Sequence, residues 1–172
     1  MEEMFDVVDD DDNVIGQVSR KKAHTEGHIH RSVLFFIFDR EGRVFVNQRT
    51  YSKEFYPGHW SIVFGGHVHA GETYEDTVGR EAEEEAGVAG KPFYMASFRK
   101  RFDAADRENV RVYGFVSNGD LHLDPGEILR GAFLTIDELE QKLMREQFLP
   151  ETPRLLELLK DYLRHRPQGP GK

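Results

Sequence analysis

Between Gly66 and Val88 the chain concentrates groups that can do chemistry together: Glu72, Arg80, Glu81, Glu84 and Glu85, framed by Gly66 and Gly87. At about 100° per residue, Glu81, Glu84 and Glu85 fall on one face of a helix, at the rim of its apolar stripe. Like charges that close repel one another and destabilise the helix unless a cation sits among them. A hard dication with oxygen ligands resolves the conflict, and Mg²⁺ usually keeps waters and substrate phosphates in its shell. Such an ion can turn a bound water into a nucleophile and neutralise charge on phosphates. Arg80, one turn before Glu84, is placed to pair with a carboxylate and hold its rotamer. Glu83 points away from the cluster, into solvent.

These residues need a helix and a loop that hold still. Thr73 with Asp76 forms a capping-box pattern, and Gly87 suits the left-handed position after a helix. Tyr74, Val78, Ala82 and Ala86 recur every four residues, one narrow stripe for a core. Ser61 to Phe64 reads as the strand before the loop, and Tyr51 to Trp60, with Pro57-Gly58, as the loop before that. Upstream, His30 to Asp39 and Arg43 to Arg49 read as a hairpin of core strands, the run Val33 to Phe38 being apolar enough for burial on both faces. Phe5 to Val8 and Val14 to Val18 flank Asp9 to Asp12, which lacks the ligand spacing of a calcium loop and reads as a solvated turn. Phe93 to Phe102 and Val110 to Ser117 are expected strands joined by the polar Asp103 to Asn109. Ile128 to Ile136 is the last strand, and Asp137 to Gln147 and Pro150 to Arg166 carry helical Leu spacing. The expectation is one domain over 1–166 and a disordered tail over 167–172.

Bulk properties narrow the function classes. The chain has 172 residues, 38% of them hydrophobic and 31% charged, with mean hydropathy -0.61. The net charge of -8 argues against binding a nucleic-acid backbone or an anionic membrane, which needs clustered Lys and Arg. There is no cysteine, so thiol catalysis is excluded. The acidic N-terminus does not read as a secretory signal, and no apolar run approaches a membrane span; a soluble cytoplasmic protein is expected.

The spacing is more specific than its composition. GHVHAGETYEDTVGREAEEEAGV resembles the Nudix box: Gly, five residues, Glu, seven residues, Arg-Glu-aliphatic-x-Glu-Glu-x-Gly-aliphatic, with Ala82 as a small member of the aliphatic class. The resemblance implies an α/β/α sandwich around a mixed β-sheet, an α+β fold. It implies Mg²⁺ or Mn²⁺ on Glu81, Glu84 and Glu85, joined by the Gly65 carbonyl, with Glu72 and Arg80 bracing the loop. Family members often add an acidic residue from a later loop as ligand or base; Glu127 is the first candidate and Glu108 the second. The activity implied is hydrolysis of phosphoanhydride bonds in nucleoside di- or triphosphates or related derivatives, releasing a nucleoside monophosphate. The partner is thus a small nucleotide-like diphosphate.

The chain also resembles the isopentenyl-diphosphate isomerase branch of this superfamily, through the His24 to His30 region, Gln48 to Lys53, Tyr56 to Trp60 and Gly66-His67. Arg49 and Lys53 stand where isomerases hold diphosphate, and Arg can clamp phosphate oxygens bidentately. His24, His28, His30 and His67 match or lie near isomerase metal ligands, although a structural role is the expectation. Gly65 occupies the isomerase's cysteine position and Val110 that of an acidic ligand. Alkene isomerisation needs a positioned acid and base, so hydrolysis is favoured. A non-catalytic nucleotide-binding module is a third alternative, against which the complete carboxylate set argues. Phe35, Phe55, Tyr56, Trp60 and Phe133 could stack on a base, core packing being the expectation for each.

Overall fold

The structure, a computed structural model, describes residues 2–101, 106–117 and 119–165. The chain opens with the antiparallel hairpin β1 (Met4–Val8) and β2 (Val14–Ser19), followed by the short helix α1 (Arg20–Thr25). A seven-stranded mixed sheet follows: β3 (His30–Phe38), β4 (Val44–Arg49), β5 (Trp60–Ser61), β6 (Phe64–His67), β7 (Phe93–Arg101), β8 (Arg107–Val116) and β9 (Ile128–Leu134). Helix α2 (Tyr74–Ala86) covers one face, and α3 (Ile136–Leu143) and α4 (Thr152–His165) the other. This is the expected three-layer α+β sandwich. β3 shows why: Val33, Phe35 and Ile37 alternate into the core beneath α2, and Phe36 and Phe38 into the core beneath α3 and α4. The α2 stripe Tyr74, Val78, Ala82 and Ala86 is buried as its spacing predicts.

The expected hairpin of β3 and β4 is corrected. The two strands pair only at Phe38↔Val44 and then diverge. β4 instead pairs with β9 along its length and with β5 at Asn47 and Gln48, while β6 takes the edge of β3 from Ser32 to Phe35. Each diverging edge thus keeps its ladder bonds, and the sheet opens between β6 and β4. β3 and β8 run parallel in register from His30↔Glu108 to Phe38↔Val116.

Three boundaries move for local reasons. The expected strand Ser61 to Phe64 is two strands, because the Ser61 hydroxyl donates to the Val63 carbonyl (2.8 Å) and accepts from the Val63 N–H (3.2 Å), closing a turn as the chain changes partners. Glu108 and Asn109, expected in a polar connection, lie buried in β8. β9 ends at Leu134 since Thr135 and Glu138 form a capping box that starts α3. The Asp9 to Asp12 turn is not wholly solvated: Asp12, at φ 66°, accepts from Arg31 Nε (3.1 Å), Tyr74 Oη (3.1 Å) and Asn109 Nδ2 (2.9 Å). Phe102, Asp103 to Ala105, Arg166 and the 167–172 tail lie outside the described residues. Among the described residues no helix is long and apolar enough to cross a membrane.

Candidate active site

Thr73 caps α2 in a closed capping box with Asp76, and Gly87 ends it at φ 63°, so both helix limits are as the sequence predicts. Arg80 sits at the centre of the charge network. Its Nε and Nη2 donate to the two oxygens of Glu72 (3.1 and 3.0 Å), and its Nη1 donates to Glu81 Oε1 (2.8 Å) and Glu84 Oε2 (3.4 Å). Glu72 also accepts from Thr77 Oγ1 (2.8 Å) and the His69 N–H (3.3 Å). Burial pushes the Glu72 carboxyl up, but these bonds, with Arg80 foremost, outweigh it and hold it at about 2. Glu72 therefore ties the loop to the helix as an anion at every ordinary pH.

The remaining carboxylates are electrostatically unsettled. Burial pushes Glu81 upward against the pull of Arg80. Glu85 is raised to about 8, first by burial and then by the charges of Glu81 and Glu127, with Lys53 and Arg49 opposing. Glu84 is largely exposed. Gly66 lies directly against Glu81: a Cβ there would fall 2.8 Å from Glu81 Cγ and closer still to its carboxylate. Only glycine leaves this carboxylate its place. The donor set is all oxygen, crowded and short of positive charge, and it fits a hard divalent ion such as Mg²⁺ or Mn²⁺.

A cavity of about 810 Å³ occupies the opening between β6 and β4. Glu81, Glu84, Glu85, Arg80, Gly65, Gly66, Glu127, Arg49 and Lys53 all line it, so the fold brings together those sequence candidates; Glu72 stands behind Arg80. Lys53 forms an ion pair with Glu127. Arg49 donates from Nη2 to the Phe55 carbonyl (3.1 Å), and its Nε is buried without a partner, a donor facing the need for an acceptor. Glu108, the second loop candidate, also lines the cavity, but from strand β8 and not from a loop, buried and accepting from Ser32 Oγ (2.6 Å) and Lys100 Nζ (3.1 Å). Phe98, on β7, and Arg154, whose guanidinium lies 4.1 Å from the Phe98 ring centre, also line the cavity and carry no sequence signal, since the contact spans elements far apart in the chain.

Gly65 is closed to any side chain. A Cβ there would lie 2.5 Å from the Val33 carbonyl oxygen and 2.7 Å from Leu34 Cδ2, and the carbonyl belongs to a paired strand that cannot give way. The cysteine of the isomerases has no room at this position in this backbone.

The structure gathers three of the four candidate histidines. One ring nitrogen from each of His24, His30 and His67 lies within 4.8 Å of the others, a donor set that could hold a divalent ion. His67 Nε2 is 3.8 Å from Glu108. His28 is outside the group, paired with Glu26 at 3.0 Å. Phe5 stacks on His30 and His67 at 5.3 and 5.0 Å between centroids, which gives the cluster a packing role as well. His30 is fully buried, and burial depresses it to about 4. A folded value below the unfolded 6.5 means full stability above pH 6.5, lost as pH falls through 4. In chelator, wild type is expected to lose on the order of 3 kcal/mol across that window from this group, and His30→Phe to flatten that slope. Denaturant unfolding between those pH values checks this; an unchanged slope in the variant would refute it.

Phe35 and Trp60 are core residues, and Phe133 packs against the core, whereas Phe55 and Tyr56 are exposed. The surroundings match known proteins as a whole. A NUDIX domain model matches residues 28–158. An uncharacterized Nudix hydrolase of Streptomyces coelicolor is 39% identical over 157 residues, covering 87% of this chain and 84% of that protein. A crystal structure of a Deinococcus radiodurans protein superposes with a TM-score of 0.75 at 29% identity, over 92% of this chain and 98% of that one. The NUDIX domain of Shewanella oneidensis NrtR, complexed with ADP ribose, shares the fold at a TM-score of 0.61 and 18% identity, over 77% and 87% of the two chains. The chain belongs to the Nudix hydrolase family, whose members generally hydrolyse pyrophosphate bonds and generally need divalent cations.

Proposed function

We propose that this chain hydrolyses a phosphoanhydride bond of nucleoside di- or triphosphates, or of related nucleoside diphosphate derivatives, releasing a nucleoside monophosphate. The observation that carries the reading is the single cavity in which Glu81, Glu84, Glu85 and Glu127 face Arg49 and Lys53. Glu81, Glu84 and Glu85, with the Gly65 carbonyl and Glu127, would hold Mg²⁺ or Mn²⁺, which supplies charge neutralisation and a more acidic bound water. Arg49 takes a phosphate oxygen on its unpartnered Nε. Lys53 leaves Glu127 for the phosphate when substrate enters, which frees Glu127. Glu85 or Glu127 takes the proton from the attacking water. Arg80 keeps Glu81 and Glu84 in their rotamers, and Glu72 keeps Arg80.

Isopentenyl-diphosphate isomerisation is not favoured, because the chain has no cysteine and Gly65 has no room for a Cβ. The test is a phosphate-release screen over nucleoside di- and triphosphates, nucleotide derivatives and isopentenyl diphosphate with Mg²⁺ or Mn²⁺, with product analysis. Metal-dependent release of a nucleoside monophosphate is expected. Isomerised diphosphate as the product, or no turnover anywhere in the panel, would sink the reading.

A further inference from the structure

We propose that Phe55 is the stacking platform for an aromatic base of the substrate, so that the loop over 50–59, and not α2, decides which diphosphate is accepted. The proposal rests on the phosphoanhydride reading above for the position of the phosphates. The loop is tied shut at its base. Arg49 N–H donates to the His59 carbonyl (2.9 Å), Gln48 Nε2 to the Gly58 carbonyl (2.9 Å) and Thr50 Oγ1 to the Gly126 carbonyl (3.1 Å). Its other aromatic residues, Tyr51 and Tyr56, are exposed as well, but they contact the loop itself and are not among the residues lining the cavity. Tyr51 lies over Gly58, whose φ of 71° and missing Cβ make that approach possible, and Tyr56 packs edge-on against His59 with 5.4 Å between centroids. Phe55 has no such use. It is 68% exposed, makes no ring contact among the described residues, and lines the cavity beside Arg49, Lys53 and Glu127.

Phe55 lines the cavity from a loop with closed ends, so whatever fills the cavity can cover its exposed ring and remove apolar surface from water. Its position identifies the cover. The Phe55 carbonyl accepts from Arg49 Nη2, so the guanidinium with the unpartnered Nε is tied to the backbone of the residue that carries the free ring. A ligand that satisfies both carries an anion and, close to it, a flat apolar face. A nucleoside diphosphate does; a sugar diphosphate without a base has no π-face to stack on the ring and gains less from it. The non-glycine residue Tyr56 at φ 51° turns the chain just after Phe55, a strained conformation of the kind that accumulates at ligand-contacting loops.

The experiment compares wild type, Phe55→Ala and Phe55→Trp on a nucleoside diphosphate and on ribose 5-diphosphate. The readout is the ratio of kcat/KM for the two substrates. Phe55→Ala is expected to lose about tenfold or more in that ratio, the order that one base-on-ring stack supplies, and Phe55→Trp to retain it. An unchanged ratio in Phe55→Ala would overturn the proposal. A second measurement is independent of turnover: titrating Phe55→Trp fluorescence with a non-hydrolysable nucleoside diphosphate, against the background of the one buried native tryptophan, Trp60. Quenching by the nucleotide and not by ribose 5-diphosphate is expected. Quenching with no hydrolysis by any variant would retain the platform and reject the hydrolytic reading. Hydrolysis with equal response to both ligands would do the reverse.

Discussion

Glu85→Gln is expected to lose about a thousandfold or more in metal-dependent turnover while the metal-free protein folds as stably as wild type, or more so. The two halves have one cause. Burial, then the charges of Glu81 and Glu127, lift the Glu85 carboxyl to about 8, so near neutral pH the metal-free protein carries a proton there. An amide of the same shape replaces a group that is already neutral. In chelator, a folded value above the unfolded 4.5 makes this group's contribution complete below pH 4.5 and lost as pH rises through 8. Wild type should therefore soften toward alkaline pH more than the variant. Added Mg²⁺ or Mn²⁺ reverses the comparison, because an ion bound to the native state raises its stability by mass action and the amide is a poorer ligand. The magnitude in turnover follows from losing a ligand or a proton acceptor at the reacting centre. Phosphate release together with thermal unfolding, with and without metal, checks it; turnover near wild type would reject the site assignment.

Gly66→Ala is the second, and it separates position from charge. The added Cβ would fall 2.8 Å from Glu81 Cγ and nearer its carboxyl, so the Glu81 side chain must swing away. The obstacle is the far part of a flexible side chain, so the stability cost is modest, about 1 kcal/mol or slightly more. Catalysis depends on the displaced atoms themselves. A misplacement of about 1 Å costs on the order of a hundredfold, and that loss is expected in kcat with every carboxylate still present. Activity assays beside denaturant titration check it. Wild-type kcat in a folded Gly66→Ala protein would show that Glu81 does not need its present position. Arg80, paired with Glu81 and Glu84, would in that case lose its positioning role.

How much of this was legible in the sequence follows from the range of the interactions. Thr73, Asp76 and Gly87 set both ends of α2 because capping and left-handed turns act over a few residues. The shared face of Glu81, Glu84 and Glu85 and the pairing of Arg80 one turn away follow from helical periodicity alone. The apolar run of β3 announced burial on both sides. Partner choice was not legible. The chain reads as a plain hairpin at 38–44, yet β4 prefers β9 and β5 while β6 takes the vacated edge, a competition among strands remote in sequence. Glu108 read as a loop carboxylate because its partners, Ser32 and Lys100, lie on other strands.

The sequence by itself determined the carboxylate face between Gly66 and Val88 and its family, since one helix and its caps encode their own geometry. Tertiary structure alone decided where that face looks. The divergence of β3 from β4 opens the cavity, Glu127 arrives from a distant loop to raise Glu85, and Gly65 loses its space to the Val33 carbonyl. The same long-range packing draws His24, His30 and His67 together and leaves His28 aside. Local hydrogen bonds and periodicity are written in consecutive residues; burial, charge coupling and close backbone approach exist only once separate elements meet.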